Sequence, residues 1–307
     1  MARVLVTGGM GYVGSVLVPK LYDAGHDVEI VDLCWFGVRL GYPLHRMDFT
    51  EVPLEGFDAI IHLAGIANDP TGELDPKLTW ETNVLGTAIL AQRAVEAGVK
   101  QFIYASSGSV YGISDAPEVT EESPLVPISE YNKTKMVAER CLLSYSDKMD
   151  VQIIRPATVC GYSPRMRLDV MVNSFAIQAL TRGVISYDGG GQYRPNIHID
   201  DMTDLYVWML ERPQTGIWNA GFENLRINEI ARMVADITGA KIAPRALNDP
   251  RSYRINSDKL LEAGFKPKKN VLKAIEELIT MFHCGHIKDT DECYNIRMMT
   301  KPDRKAA

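Results

Sequence analysis

The sequence has no apolar run approaching the roughly 18 residues of a membrane-spanning helix, and it opens on a strand-like run instead of a secretory leader. A cytoplasmic protein with no membrane partner is therefore expected. Positive charge is not in excess either. Its 33 lysines and arginines stand against 39 acidic residues, a net charge of −6, so no strong basic field exists for nucleic acid. Short basic runs at 266–273 and 301–305 read as solvated surface. The five cysteines (Cys34, Cys141, Cys160, Cys284, Cys293) are scattered, odd in number and without a C-x-x-C pair, which fits reduced thiols. His283, Cys284, His286 and Cys293 form the one local group of ligand types. Their spacing matches no standard zinc pattern, so no metal is expected. What the chain does have is apolar bulk: 46% of 307 residues, enough for one large domain or two intimately joined ones.

The stretch from Ala2 to Ser15, ARVLVTGGMGYVGS, organises the rest. A short β-rich run ends at glycines 8, 11 and 14, a G-x-x-G-x-x-G pattern opening a helix. Strand, turn and helix in that order gather backbone N–H groups and a positive helix end where a pyrophosphate can sit. Gly8 suits the tight turn, Gly11 the approach of phosphates, and Gly14 the close packing of helix on strand. Such turns also occur for structural reasons alone; here a second apolar strand, Asp27 to Val31, ends at Asp32, about 20 residues on, where a carboxylate would meet the adenosine ribose hydroxyls. A 2′-phosphate would be repelled there, so NAD is expected rather than NADP, with residues 34–39 able to modify that preference.

Residues 33–46 have little helical periodicity, and Asp48 is a candidate for the adenine amino group. Ala59 to Gly65, AIIHLAG, is a buried strand in which His62 reads as a satisfied core histidine. Asp75-Pro76 starts a helix that is expected to run to Gly98, with small residues in its middle where something packs closely. Val99 to Ser106 is the next strand. Strands alternating with helices make this a doubly wound α/β sheet. Ligands bind beyond the carboxyl ends of such strands, so Ser106 to Gly112 lie where chemistry is expected. Ser129 caps a further helix on which Tyr131 and Lys135, four apart, share a face. An ammonium there would lower the tyrosine pKa and make it a usable general base, while Ser107 could bond the same substrate oxygen.

The turn 7–14, the segment Ser106 to Gly112, Tyr131-Asn132-Lys133-Thr134-Lys135 and Arg155-Pro156 together resemble the extended short-chain dehydrogenase/reductases of the nucleotide-sugar epimerase/dehydratase family. Residues 194–201 and 217–221 look like that family's late motif and last strand, and 228–230 and 253–265 like its small domain. The resemblance implies a Rossmann-type parallel sheet (1–160 plus about 192–222) and a smaller C-terminal α/β substrate domain (161–191 plus 223–307). It implies Tyr131 as the base at a hexose 4-hydroxyl, Lys135 holding the nicotinamide ribose, and Ser107 orienting the hydroxyl. Further NAD contacts are implied at Tyr12, Val13, Phe49, Leu63, Ala64, Gly65, Asn83, Ala105 and Pro156. Gly108, Ser109, Asn173, Arg194 and Arg251 are the expected contacts for a nucleotide-diphosphate sugar, the two arginines at its diphosphate. The helices from Pro76 and Ser129 correspond to those through which the family dimerises, so a homodimer is expected.

The departures bear on the reaction. Family dehydratases carry an Asp-Glu pair after the Ser position and decarboxylases a glutamate; here those places hold Gly108 and Ser109. Simple dehydration and decarboxylation are therefore disfavoured, leaving 4-epimerisation or net C4 oxidation or reduction. Residues 68–80, 122–131 and 163–173 are similar to a subgroup that includes heptose-modifying C4 dehydrogenases with retained cofactor. A non-catalytic NAD-binding sensor is the alternative of another class, and an intact Ser107, Tyr131 and Lys135 argues against it. Residues 33–60 form a shorter segment than usual, so a flanking helix is expected to be missing or reduced. The tail beyond Phe282 has no periodicity from which a role can be read.

Overall fold

Thr7 closes β1 (Arg3–Thr7), the glycine turn leads into α1 (Gly14–Asp23), and β2 (Asp27–Val31) returns parallel beside β1 with Val6 opposite Ile30. The computed structural model describes residues 1–114, 116–246 and 252–301. After β2 come β3 (Leu44–His45), β4 (Ala59–His62), α2 (Asp69–Gly72), α3 (Pro76–Trp80), α4 (Thr87–Glu96), β5 (Gln101–Ala105), α5 (Glu130–Leu143) and β6 (Asp150–Pro156). The second half runs β7 (Thr158–Cys160), α6 (Met171–Arg182), β8 (Val184–Asp188), β9 (Tyr193–His198), α7 (Ile199–Glu211) and β10 (Gly216–Ala220). It ends with β11 (Glu223–Arg226), α8 (Ile227–Thr238), β12 (Lys241–Arg245), α9 (Asp258–Glu262), α10 (Val271–His283) and α11 (Asn295–Met299).

Seven strands form one parallel sheet in the order β10-β6-β5-β4-β1-β2-β3. Chain order reverses between β1 and β4, which opens a crevice at their carboxyl ends. Alternation along β1 explains the two covered faces. Val4 and Val6 pack with Leu17, Leu21 and Leu205 on the α1–α7 side; Leu5 packs with Ile60, Leu90 and Leu142 on the α4–α5 side. Each fully buried aliphatic side chain contributes about 1.5–3 kcal/mol. A separate cluster joins α6, α8 and α10 through Val172, Phe175, Ile230, Val234 and Leu278. Smaller sheets, β11-β9-β7 and β12-β8, accompany it. Among the described residues no helix is long and apolar enough to cross a membrane.

Between β2 and β4 the described chain forms only the two-residue β3, so a flanking helix is indeed missing there. The helix expected over 76–98 is not continuous. Asp75 caps α3 by accepting from the Leu78 N–H at 3.0 Å, and a wider π-type turn, Glu81–Gly86, then separates α3 from α4. A Cβ on Gly86 would lie 2.8 Å from Phe49 Cζ, so the small residue in mid-helix admits the Phe49 ring. Within the described part of the tail, α11 lies against α2, far away in sequence.

Candidate active site

The carboxyl ends of β1, β2, β4, β5 and β6 bring the glycine turn, Asp32, Leu63 to Gly65, Ser106 to Ser109 and Pro156 to one edge of the sheet. Gly8 has φ 71°, and a Cβ there would stand 2.7 Å from the Ala64 nitrogen; one on Gly14 would stand 2.5 Å from Gly9 Cα. Only bare backbone fits, as a diphosphate-cradling turn requires. Val13 is the N-cap residue of α1, so the helix start faces this turn. Asp32 accepts from the Met10 N–H at 3.0 Å through one carboxylate oxygen and from the Cys34 N–H at 2.7 Å through the other. Burial raises its pKa, and those two backbone bonds draw it down. Each oxygen keeps lone pairs for ribose hydroxyls.

α5 starts where Ser129 Oγ accepts from the Asn132 N–H at 3.1 Å, and one face of it carries Tyr131, Lys135 and Glu139 at successive turns. Lys135 Nζ donates to the Ala105 carbonyl at 2.8 Å and lies 4.7 Å from the Tyr104 ring centroid and 6.0 Å from that of Tyr131. Burial lowers Lys135 to about 8, with Glu139 pulling the other way. The expected depression of Tyr131 by Lys135 needs correction: burial pushes Tyr131 up to about 12. The Ser107 hydroxyl, by hydrogen bonding, is what chiefly draws it back; Asp69 raises it further and Arg167 lowers it. Lys135 is held at the strand end rather than against the phenol. Ser107 Oγ shares a hydrogen bond with Ser109 Oγ at 2.7 Å, and Ser109 Oγ donates to Asn132 Oδ1 at 2.6 Å.

Several expected ligand contacts are already committed to the protein. Asn173 is 0% exposed; its Oδ1 accepts from the Gly161 N–H at 3.0 Å and its Nδ2 donates to the Arg167 carbonyl at 2.9 Å and to Tyr12 Oη at 3.1 Å. It ties loops together instead of facing a ligand. The Tyr12 hydroxyl donates to the Gly161 carbonyl at 2.8 Å, so only the Tyr12 backbone remains available to a cofactor. The Asn83 amide exchanges hydrogen bonds with both Ile66 backbone groups, at 2.8 and 3.0 Å, and also donates to Thr134. Asp48 Oδ1 accepts from the Thr50 N–H and hydroxyl and so caps a turn, while its other carboxylate oxygen takes no part in that cap. The Phe49 ring is buried against His62. His62 itself bonds Thr7 and Thr87 and is lowered to about 3 by burial, a satisfied core histidine. Arg194 Nη1 donates to the Tyr193 carbonyl at 3.0 Å; Arg251 lies outside the described residues.

Three features escaped sequence reasoning. Glu139 accepts from Arg155 at 2.6 Å and from the Ser106 hydroxyl, a buried network directly behind the strand end that carries Ser107. Its spacing from Lys135 was a usable signal. Asp69 at the start of α2 and Arg167 in the loop before α6 act on Tyr131, with Asp69 accepting from Ser129 Oγ at 2.8 Å and Arg167 paired to Asp169 at 2.9 Å. Asn295 of α11 reaches the same loops. Loop and tail positions such as these have no periodicity that would reveal them.

A sequence profile of the NAD dependent epimerase/dehydratase family matches residues 4–221. The chain is 28% identical to a UDP-glucose 4-epimerase of Lactobacillus helveticus, over 94% of this chain and 99% of that one. It is also 28% identical to UDP-glucuronic acid decarboxylase 1 of Arabidopsis thaliana, over 94% and 72% respectively. Among solved structures it superposes on the UDP-glucose 4-epimerase of Thermus thermophilus in complex with NAD, with a TM-score of 0.81, 27% identity and coverage of 92% of this chain and 99% of that one. The chain belongs to the NAD dependent epimerase/dehydratase family, whose members are NAD-dependent nucleotide-sugar enzymes.

Proposed function

We propose that this enzyme is a nucleotide-sugar 4-epimerase that works through a transient 4-keto sugar. The observation that carries the reading is the place after Ser107. Relatives at equal identity include both epimerases and decarboxylases, so similarity alone does not choose between them. Gly108 offers no acid or base, and a side chain there would meet Ile255 Cδ1 at 2.5 Å and the Pro156 carbonyl at 3.1 Å. The hydroxyl of Ser109 is engaged by Ser107 and Asn132. No group at this place is suited to elimination across C5 and C6.

NAD supplies the hydride acceptor and, once reduced, the hydride donor. In this reading the glycine turn from Gly8 to Val13 holds its diphosphate, Asp32 its adenosine ribose, and Lys135 its nicotinamide ribose. Leu63, Ala64, Gly65, Ala105 and Pro156 form the wall along the strand ends. Tyr131, reacting as the phenolate that the Ser107 hydroxyl favours against burial, takes the proton of the 4-hydroxyl as the C4 hydrogen departs as hydride, and Ser107 orients that oxygen. The ketone then presents its other face, hydride returns to C4, and Tyr131 gives the proton back. Arg194, at β9, meets the sugar nucleotide's diphosphate, where a guanidinium fork suits phosphate oxygens. Leu85 and Ile89, 56% and 37% exposed and four apart before and within α4, support a homodimer, which light scattering at micromolar concentration tests.

Turnover of a nucleotide-sugar panel in deuterium oxide tests the reaction. The expected product is a C4 epimer with no carbon-bound deuterium and no net NADH. Deuterium at C5 or C6 would overturn the reading, and stoichiometric NADH would replace it with a C4 dehydrogenase. No turnover of any panel member would favour the sensor.

A further inference from the structure

Arg165 lies in the loop between β7 and α6 and is only 3% exposed. Its guanidinium stacks on the Phe36 ring, 3.8 Å from the centroid, just beyond Asp32 in sequence. Nη2 donates to Asn295 Oδ1 at 2.6 Å, a neutral partner, and Nε is buried with no partner at all. Among the described residues no carboxylate forms an ion pair with it. Arg167 repels it, whereas Asp32 and Asp169 attract it only through space, and burial lowers it to about 9. A buried cation without a contacting anion is costly.

Its place in the fold indicates which anion would relieve that cost. Ser163 Oγ donates to the Tyr12 carbonyl of the glycine turn at 2.7 Å and accepts from the Arg165 N–H at 3.3 Å. On the other side Phe36 belongs to the segment that follows Asp32. The cation thus stands between the carboxylate suited to the adenosine ribose and the turn suited to phosphate, where a dinucleotide carries its two negative charges. We propose that Arg165, held in place by Asn295 of the C-terminal tail, belongs to the cofactor site and provides the positive charge that meets the diphosphate of NAD.

The tail braces this arrangement from three sides. Asn295 is 6% exposed, its N–H donates to Asp169 Oδ2 at 3.1 Å, and its Nδ2 reaches the Ala67 carbonyl at 3.5 Å. Glu292 pairs with Arg39 in the segment after Asp32. Asn295 is therefore a positioning residue that acts through Arg165. The proposal rests on the cofactor and not on the 4-epimerase reading, so a titration without sugar tests it alone.

Calorimetric titration of the full chain with NAD, ADP and adenosine is the experiment. Arg165→Met is expected to lose at least about tenfold in affinity for NAD and ADP and less than twofold for adenosine, which has no phosphate. Arg165→Lys should recover part of the loss, and Asn295→Ala should show the same phosphate-selective pattern at smaller size. Unchanged binding of NAD and ADP in folded Arg165→Met, or an equal loss for all three ligands, would overturn the proposal. If Arg165→Met does not fold, Asn295→Ala and Arg165→Lys decide: a loss confined to the phosphate-bearing ligands supports it, and no loss, or one shared by adenosine, overturns it.

Discussion

Removing the carboxylate of Glu139 should unsettle both the stability and the pH response of this enzyme. Glu139 and Arg155 are 1% and 2% exposed, and the carboxylate accepts from Arg155 Nε at 3.0 Å and Nη2 at 2.6 Å, as well as from the Ser106 hydroxyl. Glu139→Ala leaves the guanidinium buried with only the Tyr111 hydroxyl and the Glu121 carbonyl as partners. Breaking a buried pair from one side costs about 3–5 kcal/mol, against a total of about 5–15 kcal/mol for an ordinary protein. Glu139→Gln keeps the volume but turns an amide NH2 toward the guanidinium, losing at least one charged hydrogen bond, about 1.5–3 kcal/mol. Urea denaturation followed by circular dichroism should give midpoints in the order wild type, Gln, Ala, with unchanged slope. The second effect concerns Lys135, which Glu139 raises against the burial that brings it to about 8. Without that carboxylate Lys135 loses its proton at lower pH, so the ammonium form shrinks and the alkaline limb of kcat in Glu139→Gln should move to lower pH. A Glu139→Ala protein destabilised by less than about 1 kcal/mol, or an alkaline limb that stays put, would refute the reasoning.

Tyr131→Phe should retain NAD yet lose about 10²–10⁴ in turnover, the size of general-base removal, and near-normal turnover in a steady-state assay would reject the assignment. Asp32→Asn removes the charge that repels a 2′-phosphate, so the preference for NAD over NADP should narrow by about tenfold or more in paired titrations. Equal preference before and after the change would remove Asp32 from that role. Gly8→Ala places a Cβ at φ 71° and 2.7 Å from the Ala64 nitrogen, costing about 1–2 kcal/mol for the left-handed backbone before the clash. A lowered melting temperature and lost NAD binding are expected, and a variant matching wild type in both would show that the turn yields.

The sequence by itself determined the elements whose signal is local. Gly8, Gly11 and Gly14 can be recognised because a turn that brings backbone to phosphate excludes side chains wherever it occurs, and Asp32 because a strand of known length delivers its end residue to a known place. The period of an α-helix puts Tyr131 and Lys135 on one face whatever the rest of the chain does, and Gly86 announced the close approach that Phe49 fills. Tertiary structure decided what depends on partners. Asn173 had the right residue type for a ligand contact, but packing gave its amide to Gly161, Tyr12 and Arg167. Lys135 had the right spacing to lower the Tyr131 pKa, but its ammonium went to the Ala105 carbonyl and burial of the phenol prevailed. The tail had no periodicity, and only the folded chain joins Asn295 to Arg165, a separation of 130 residues. The physical reason is common to all three: helix period and turn geometry are properties of neighbouring residues, whereas hydrogen-bond partners and the loss of water around a charge are fixed by segments that the linear order does not bring together.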